Sequence, residues 1–387
     1  MYVTNEPSSS LSEFFFFVNF SYICSRFLHE QKIGTASEDA YRRDLTINAL
    51  FYNINEARVE DFTGRGVEDL RAGIIRTPLP PLETFLDDPL RVLRSIRFAA
   101  RLGFRCEQEL LNAAAAPVVR EALHSKISRE RIGKELSLMM TGPRFDVAVA
   151  LLQQVELWNA VFKLPESLCA PSEDVTAEHA DSIMSVACGD AAGPSWDGNR
   201  SVQIVGLMLS HEKLPEPTDA DSEIARKCVL LSSLLFPLYG REYLIAKKKR
   251  REPVSNFIIL DSLKLSTRET QGALLIQAVA EEFTDVIRKV LACGNVASVF
   301  QRGSFGMLLR KAGPMWQYSL ALAACTLIAE GGIPSDICSA KAAVIGLYET
   351  YNLGNAWEQR PLITVCFIIH CYRVFLSVCM LSCVLSV

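Results

Sequence analysis

The chain has 387 residues, a net charge of −4 and a pI near 5.9, which excludes a mini-protein and a wholesale basic coat that binds nucleic acid non-specifically. Any nucleic-acid contact must then be local, and the length allows two or three domains of roughly 100–200 residues each. Twelve cysteines form no C-x-x-C pair and have no histidine at ligand spacing, so they read as reduced, buried, small apolar residues of an intracellular protein.

Residues 1–32 are irregular in composition. Glu6 and Glu13 precede the run FFFFV, where a secretory signal carries positive charge, and the arginine richness of a transit peptide is missing. FFFFVNF reads as a strand. RRDLTINAL, residues 42–50, sets Arg42, Arg43 and Asp44 directly before an apolar run. LTINALFYNI followed by NEARVEDF predicts a strand, a turn and a second short strand, a hairpin-like end of a sheet. DFTGRGVEDLRAGIIRT has Gly64, Gly66 and Gly73 around one helical turn. The prolines of TPLPPLETF forbid continuing helix, so this region reads as a connector.

A long helix is predicted from Asp87 to Gly103, with Asp87, Asp88 and Pro89 in its first turn and Gly103 as its stop. A second opens at ISRERIGKELSLMM, with Ser128 as cap and Glu130 in the first turn. From about 145 to 350 the chain reads as successive helices: FDVAVALLQQVEL, ARKCVLLSSLLFPLY, GALLIQAVAEEFTDVIRKVLA, WQYSLALAACTLIAEG and SAKAAVIGLYETY. Polar loops such as APSEDVTAEHADS and GDAAGPSWDGN separate them. KKKRR, residues 247–251, is either a nuclear-import or RNA-contact patch or a solvated loop. The apolar stretch 362–387 is long enough to span a bilayer if Arg373 and His370 are tolerated, and a buried apolar tail accounts for it equally.

On a helical wheel, Arg91, Arg94, Arg97 and Arg101 form a ladder of guanidiniums beside Asp88, opposite Val92, Leu93, Ile96 and Ala100. Such a ladder repels itself unless an anion or carboxylates neutralise it. Arginine's planar fork suits phosphate and base edges, and between Tyr41 and Arg131 the only lysine is Lys126. Phosphate binding and ion pairing to neighbouring acids both satisfy the pattern. Asp88 with Arg91 can read the edge of a base, a carboxylate accepting from an amine while a guanidinium donates to ring acceptors. It can equally cap a helix N-terminus. Arg131 and Glu135, at i and i+4, can pair with each other.

GTASEDAYRRDLTINALFYN, DFTGRGVEDLRAGIIRT and FLDDPLRVLRSIRFAARLGF with ISRERIGKEL, in this order and spacing, resemble the tRNA nucleotidyltransferase and bacterial poly(A) polymerase family, closest to its plant-like CCA-adding members. The resemblance implies an α+β fold: a partial nucleotidyltransferase head at 1–78, a helical neck at 79–145, a helical body and tail at 146–360 and a divergent apolar end at 361–387. It implies transfer of CMP and AMP from CTP and ATP to a tRNA 3′ end. A non-catalytic nucleotide- or RNA-binding fragment and a poly(A) polymerase are the alternatives.

By the same resemblance Arg43, Asp88, Arg91, Arg94 and Arg97 are nucleotide-binding, Asp88 and Arg91 being the template for the base. Arg42, Asp44, Asn48, Asp87, Arg131 and Glu135 are motif residues; Asn48 braces the head, and Asp87 stands where the family has Glu. DFTGRG…EDLRAG resembles the flexible connector between head and neck. The family's Mg²⁺ implies a D-x-D upstream of RRD, and residues 1–41 contain none. No catalytic or metal-ligating residue is therefore expected here, and both ends read as those of an incomplete or alternatively spliced product. Cytosol, nucleus and organelle all remain open.

Overall fold

Thr35 and Glu38 each accept from the other's backbone N–H, at 3.2 and 2.7 Å, a capping box that satisfies two donors at a helix start. The helix they open is α1 (Ala36–Tyr41). The computed structural model describes residues 34–166, 168, 196, 198–245, 250–354 and 356–358. The FFFFVNF strand, the loop APSEDVTAEHADS, most of GDAAGPSWDGN, Lys247–Lys249 and the apolar end 362–387 lie outside the described residues.

The hairpin is present as β1 (Leu50–Asn53) and β2 (Arg58–Asp61), antiparallel, with Leu50 opposite Asp61 and Asn53 opposite Arg58. It starts later than the sequence suggests, because Thr46–Asn48 is a 3₁₀ turn. Asp44 accepts from the Leu45 N–H at 3.0 Å and from the Asn48 amide at 3.1 Å, local bonds that close a turn in place of a strand. Phe51 packs on Ala40 and Ala49 and meets Phe62 edge-on at 5.6 Å.

The stretch read as a connector is a fastened element. Asp61 accepts from the Thr63 and Val67 N–H groups and so caps α2 (Gly66–Ala72), about two turns long. A Cβ at Gly66 would lie 2.6 Å from the Thr46 carbonyl oxygen and 2.8 Å from Leu50 Cδ2. Buried Asp69 accepts from the Thr46 hydroxyl at 2.8 Å and from the Arg76 guanidinium at 2.7 Å. Arg76 also reaches Glu107 at 2.9 Å.

The prolines correct a second expectation. TPLPPLETF starts a helix, α3 (Pro81–Asp87), because Pro81 sits in the first turn, where its missing N–H has no partner to lose. Asp87 is therefore the last residue of α3. Asp88 is extended (φ −133°, ψ 100°), and Pro89 leads into α4 (Leu90–Leu102). Gly103, at φ 68°, ends α4 as expected. Ile74–Ile75 (β3) and Arg105–Cys106 (β4) pair in parallel around α3 and α4.

The chain continues through α5 (Gln108–Ala114), α6 (Pro117–Lys126), α7 (Arg129–Met140) and α8 (Phe145–Gln154). Ser128 caps α7 by accepting from the Arg131 N–H at 3.4 Å. α4 lies against α7 and α8 and buries Val92, Leu93, Ile96 and Ala99; each large apolar side chain so buried contributes about 1.5–3 kcal/mol. Arg129 donates to the carbonyls of Ser262, Ala160 and Val161 and to the Ser262 hydroxyl, tying α7 to later segments. Burial lowers its pKa to about 10.

The five later helices read from the sequence are all present, within Phe145–Gln154, Ala220–Leu235, Thr267–Cys293, Trp316–Ala329 and Pro334–Thr350. Helices Asn199–His211 and Arg302–Ala312 and the hairpin of Glu242–Ile245 with Arg250–Pro253 were not anticipated. The fold is α+β. It divides into two units, Met1–Gln277 and Ala278–Val387, the boundary falling inside Thr267–Cys293. Expected boundaries at 78 and 145 both lie within the first unit. The second has its own core, including Phe283, Phe305, Trp316, Leu320 and Val344.

Of the described cysteines, Cys228 and Cys325 are buried, Cys106 is half-buried, and Cys293 and Cys338 are exposed. The reading as core residues thus holds for two of these five. Among the described residues no helix is long and apolar enough to cross a membrane.

Candidate functional site

Because α4 turns its aliphatic side chains inward, its arginines share the remaining surface. Like charges on one helix face repel. Three of the four are neutralised by carboxylates from three segments: Arg91 by Asp87 at 3.1 Å, Arg94 by Asp44 at 2.6 Å and Arg97 by Glu135 at 2.6 Å. Arg101 is exposed. Ion pairing, one of the two readings left open for the ladder, is realised at each of these three positions.

The expected i, i+4 pair of Arg131 with Glu135 is replaced by two other pairs. Glu135 turns to Arg97, with the two side chains only 8% and 9% exposed, and Arg131 reaches Asp88 at 3.0 Å. The packing of α7 on α4 explains the exchange. A desolvated carboxylate and guanidinium need each other, whereas an exposed i, i+4 pair is worth only about 0.2–0.5 kcal/mol. Arg97, one of the arginines the resemblance assigns to the nucleotide, is thereby enclosed, its guanidinium 4.4 Å from the Phe98 ring centroid. Arg94 keeps 35% of its side chain exposed.

Asp88 fills one of the two roles read for it from the sequence, the helix cap, and adds an ion pair. One carboxylate oxygen accepts from the Leu90 N–H at 3.1 Å, capping α4, and the other accepts from Arg131. Arg91 donates to the Arg42 carbonyl at 2.8 Å and to the Thr84 carbonyl at 3.4 Å. Asp88 and Arg91 are thus neighbours on the chain, each engaged elsewhere. Lys126 donates to the Leu86 carbonyl at 3.0 Å and holds the end of α3 beside them.

The turn carrying Arg42, Arg43 and Asp44 is built by acid–arginine bonds. Asp39 accepts from Arg42 at 2.5 Å and from Arg43 at 2.6 Å, and these bonds, Arg43's the larger, hold its carboxyl below the usual carboxylate range. Arg43 lies over the Phe51 ring, 5.6 Å from its centroid. Buried Asp44 collects Arg94, the Leu45 N–H and the Asn48 amide, and the Asn48 bond closes this turn. Arg91 to the Arg42 carbonyl and Arg94 to Asp44 are bonds across 49 and 50 residues. They join the Arg42–Asp44 turn to α4, and arginine, which both segments carry, is a side chain suited to phosphate oxygens.

Asp39 went unnoticed in the sequence although its spacing to Arg42 and Arg43, i+3 and i+4 from a helix, is a legible signal. The Arg42 carbonyl and the Arg76–Asp69–Thr46 fastening had none, since a backbone acceptor and a long-range buried bond leave no local pattern. The Mg²⁺ implied by the resemblance does not fit what is described. Asp39, Asp44, Asp87, Asp88 and Glu135 are all taken by arginines, and among the described residues no three His, Cys, Asp or Glu side chains converge to hold a metal.

The family described as "Poly A polymerase head domain" matches residues 15–76. The mitochondrial CCA tRNA nucleotidyltransferase of Saccharomyces cerevisiae is 34% identical over 301 residues, 73% of this chain and 52% of that protein. The tRNA nucleotidyltransferase cca2 of Schizosaccharomyces pombe is 29% identical over 333 residues, 85% of this chain and 62% of that protein. Nucleotidyltransferase lcsQ of Purpureocillium lilacinum is 49% identical over 195 residues, 47% of this chain and 31% of that protein. The Thermotoga maritima CCA-adding enzyme complexed with tRNA is a structural neighbour with a TM-score of 0.47 and 19% identity, 87% of this chain covering 65% of that one. The chain spans about half the length of the curated relatives it matches.

Proposed function

We propose that this chain, which belongs to the tRNA nucleotidyltransferase and poly(A) polymerase family, serves template-free addition of CMP and AMP, from CTP and ATP, to the 3′ end of tRNA inside the cell. The tRNA 3′ hydroxyl attacks the α-phosphate in line and pyrophosphate leaves. Asp88 accepts from the exocyclic amine of cytosine or adenine while Arg91 donates to ring acceptors. Arg43 and Arg94 take the triphosphate oxygens. Arg97 acts through the placement of α4, since Glu135 holds its guanidinium. Arg42, Asp44, Asn48 and Asp87 keep these groups in position, and Arg131 pairs with Asp88.

The observation that carries this reading is the pair of bonds joining the Arg42–Asp44 turn to α4, Arg91 to the Arg42 carbonyl and Arg94 to Asp44. Two charged motifs distant in sequence thereby form one wall, which an unrelated pair of solvated charge clusters has no reason to do. A partial head at 1–78, a neck at 79–145, a body and tail at 146–360 and a divergent end at 361–387 remain our proposed finer division.

The test is incorporation of labelled CMP and AMP by the purified chain into tRNA lacking its CCA end. Incorporation abolished by Asp88→Ala supports transfer, and long tails from ATP alone point to poly(A) addition. A second reading, nucleotide or RNA binding without transfer, is favoured by the engagement of the nearby carboxylates with arginines. It predicts CTP binding with no incorporation.

A further inference from the structure

Asp88 and Arg91, read above as the base-recognising pair, have their hydrogen-bonding groups occupied by the protein itself. Arg131 gives Asp88 an N–H donor at 3.0 Å, the kind of group an exocyclic amine presents. The Arg42 carbonyl gives Arg91 an acceptor at 2.8 Å, the kind of group a ring nitrogen or carbonyl presents. We propose that Arg131 is a placeholder that fills one Asp88 oxygen in the empty site and yields it to the amine of an incoming cytosine or adenine, so setting the threshold and part of the selectivity of nucleotide binding.

Two features make this exchange workable. The first is unequal anchoring of the Asp88 oxygens: one is fixed on the Leu90 N–H at the start of α4, at 3.1 Å, which aims the other at its partner. Arg131 is the removable partner, because the pair is open to water, with side chains 50% and 33% exposed, and an ion pair so exposed is weak. The second is that α7 itself stays put when Arg131 swings away. Ser128 caps it, and Glu135, one turn further on, is locked in the buried pair with Arg97. One helix thus carries a fixed partner and an exchangeable one.

The inference rests on the reading of Asp88 as base-recognising, and one set of titrations separates the two. CTP and UTP differ at this edge, cytosine presenting an amine where uracil presents a carbonyl. Ligand-observed NMR titrations of the full chain would compare the two nucleotides against the parent, Arg131→Ala, Arg131→Lys and Asp88→Ala. Arg131→Ala is expected to tighten CTP about two- to fivefold and to leave UTP unchanged, with Arg131→Lys returning CTP toward the parent value. A merely structural role would move both nucleotides together. Equal changes in CTP and UTP, or weaker CTP in Arg131→Ala, overturn the placeholder while Asp88→Ala still erases the CTP preference. Absence of that preference in the parent, or its survival in Asp88→Ala, overturns the base-recognising reading and the placeholder with it.

Discussion

Glu135→Ala isolates the bond that seats α4 on α7. It leaves Arg97, 8% exposed, as a buried cation whose carboxylate has gone. Removing one partner of a buried ion pair costs about 3–5 kcal/mol, while replacing both by apolar residues of similar volume is close to neutral. The Phe98 face beside the Arg97 guanidinium is there with or without Glu135, so its cation–π attraction does not change this difference. The single variant is therefore expected to lose about 3–5 kcal/mol, and Arg97→Met with Glu135→Leu to stay within about 1 kcal/mol of the parent. Arg131→Ala, which breaks an exposed pair, is expected to cost about 0–1 kcal/mol. Hydrogen exchange of the α4 and α7 amides, read across a urea series, reports this local stability in each variant. A Glu135→Ala cost below about 1 kcal/mol, no larger than that of Arg131→Ala, would refute the argument that desolvation chose Arg97 as the partner of Glu135.

Gly66→Ala would set a methyl 2.6 Å from the Thr46 carbonyl, a backbone atom with little room to give. A loss of about 1–3 kcal/mol is expected, measured as a lowered urea midpoint at unchanged slope. For Asp39 the folded-state pKa lies below its ordinary 3.8, so its stabilisation is fully present above that value and is lost as pH falls through the lowered one. Asp39→Asn should therefore melt below the parent near pH 6, with the gap closing as the pH falls below 3.8. A gap that stays constant with pH would assign the effect to packing.

Several elements were legible because their causes are local. Gly103 stops α4 by its left-handed backbone, and Ser128 caps α7 through an N–H three residues on. The later helices announce themselves by apolar periodicity over more than two turns. The misreadings share a different origin. TPLPPLETF reads as helix-breaking yet opens α3, because proline has opposite meanings at the first and later turns of a helix, and only the chain's path decides which applies. The residue types of Thr46–Asn48 favour a strand, whereas Asp44, two residues before Thr46, closes the segment as a 3₁₀ turn.

The sequence by itself determined the family, the α+β class, the arginine ladder and the membership of Asp88 and Arg91 in one short motif. Residue types at fixed spacing carry that much. Which partner each charge takes was decided only by the tertiary structure: Glu135 spacing allows Arg131, and α7 packing on α4 delivers Arg97 instead. Asp44 finds Arg94 across 50 residues. Charge pairing is settled by desolvation, and desolvation is a property of packed surfaces, which no local spacing encodes.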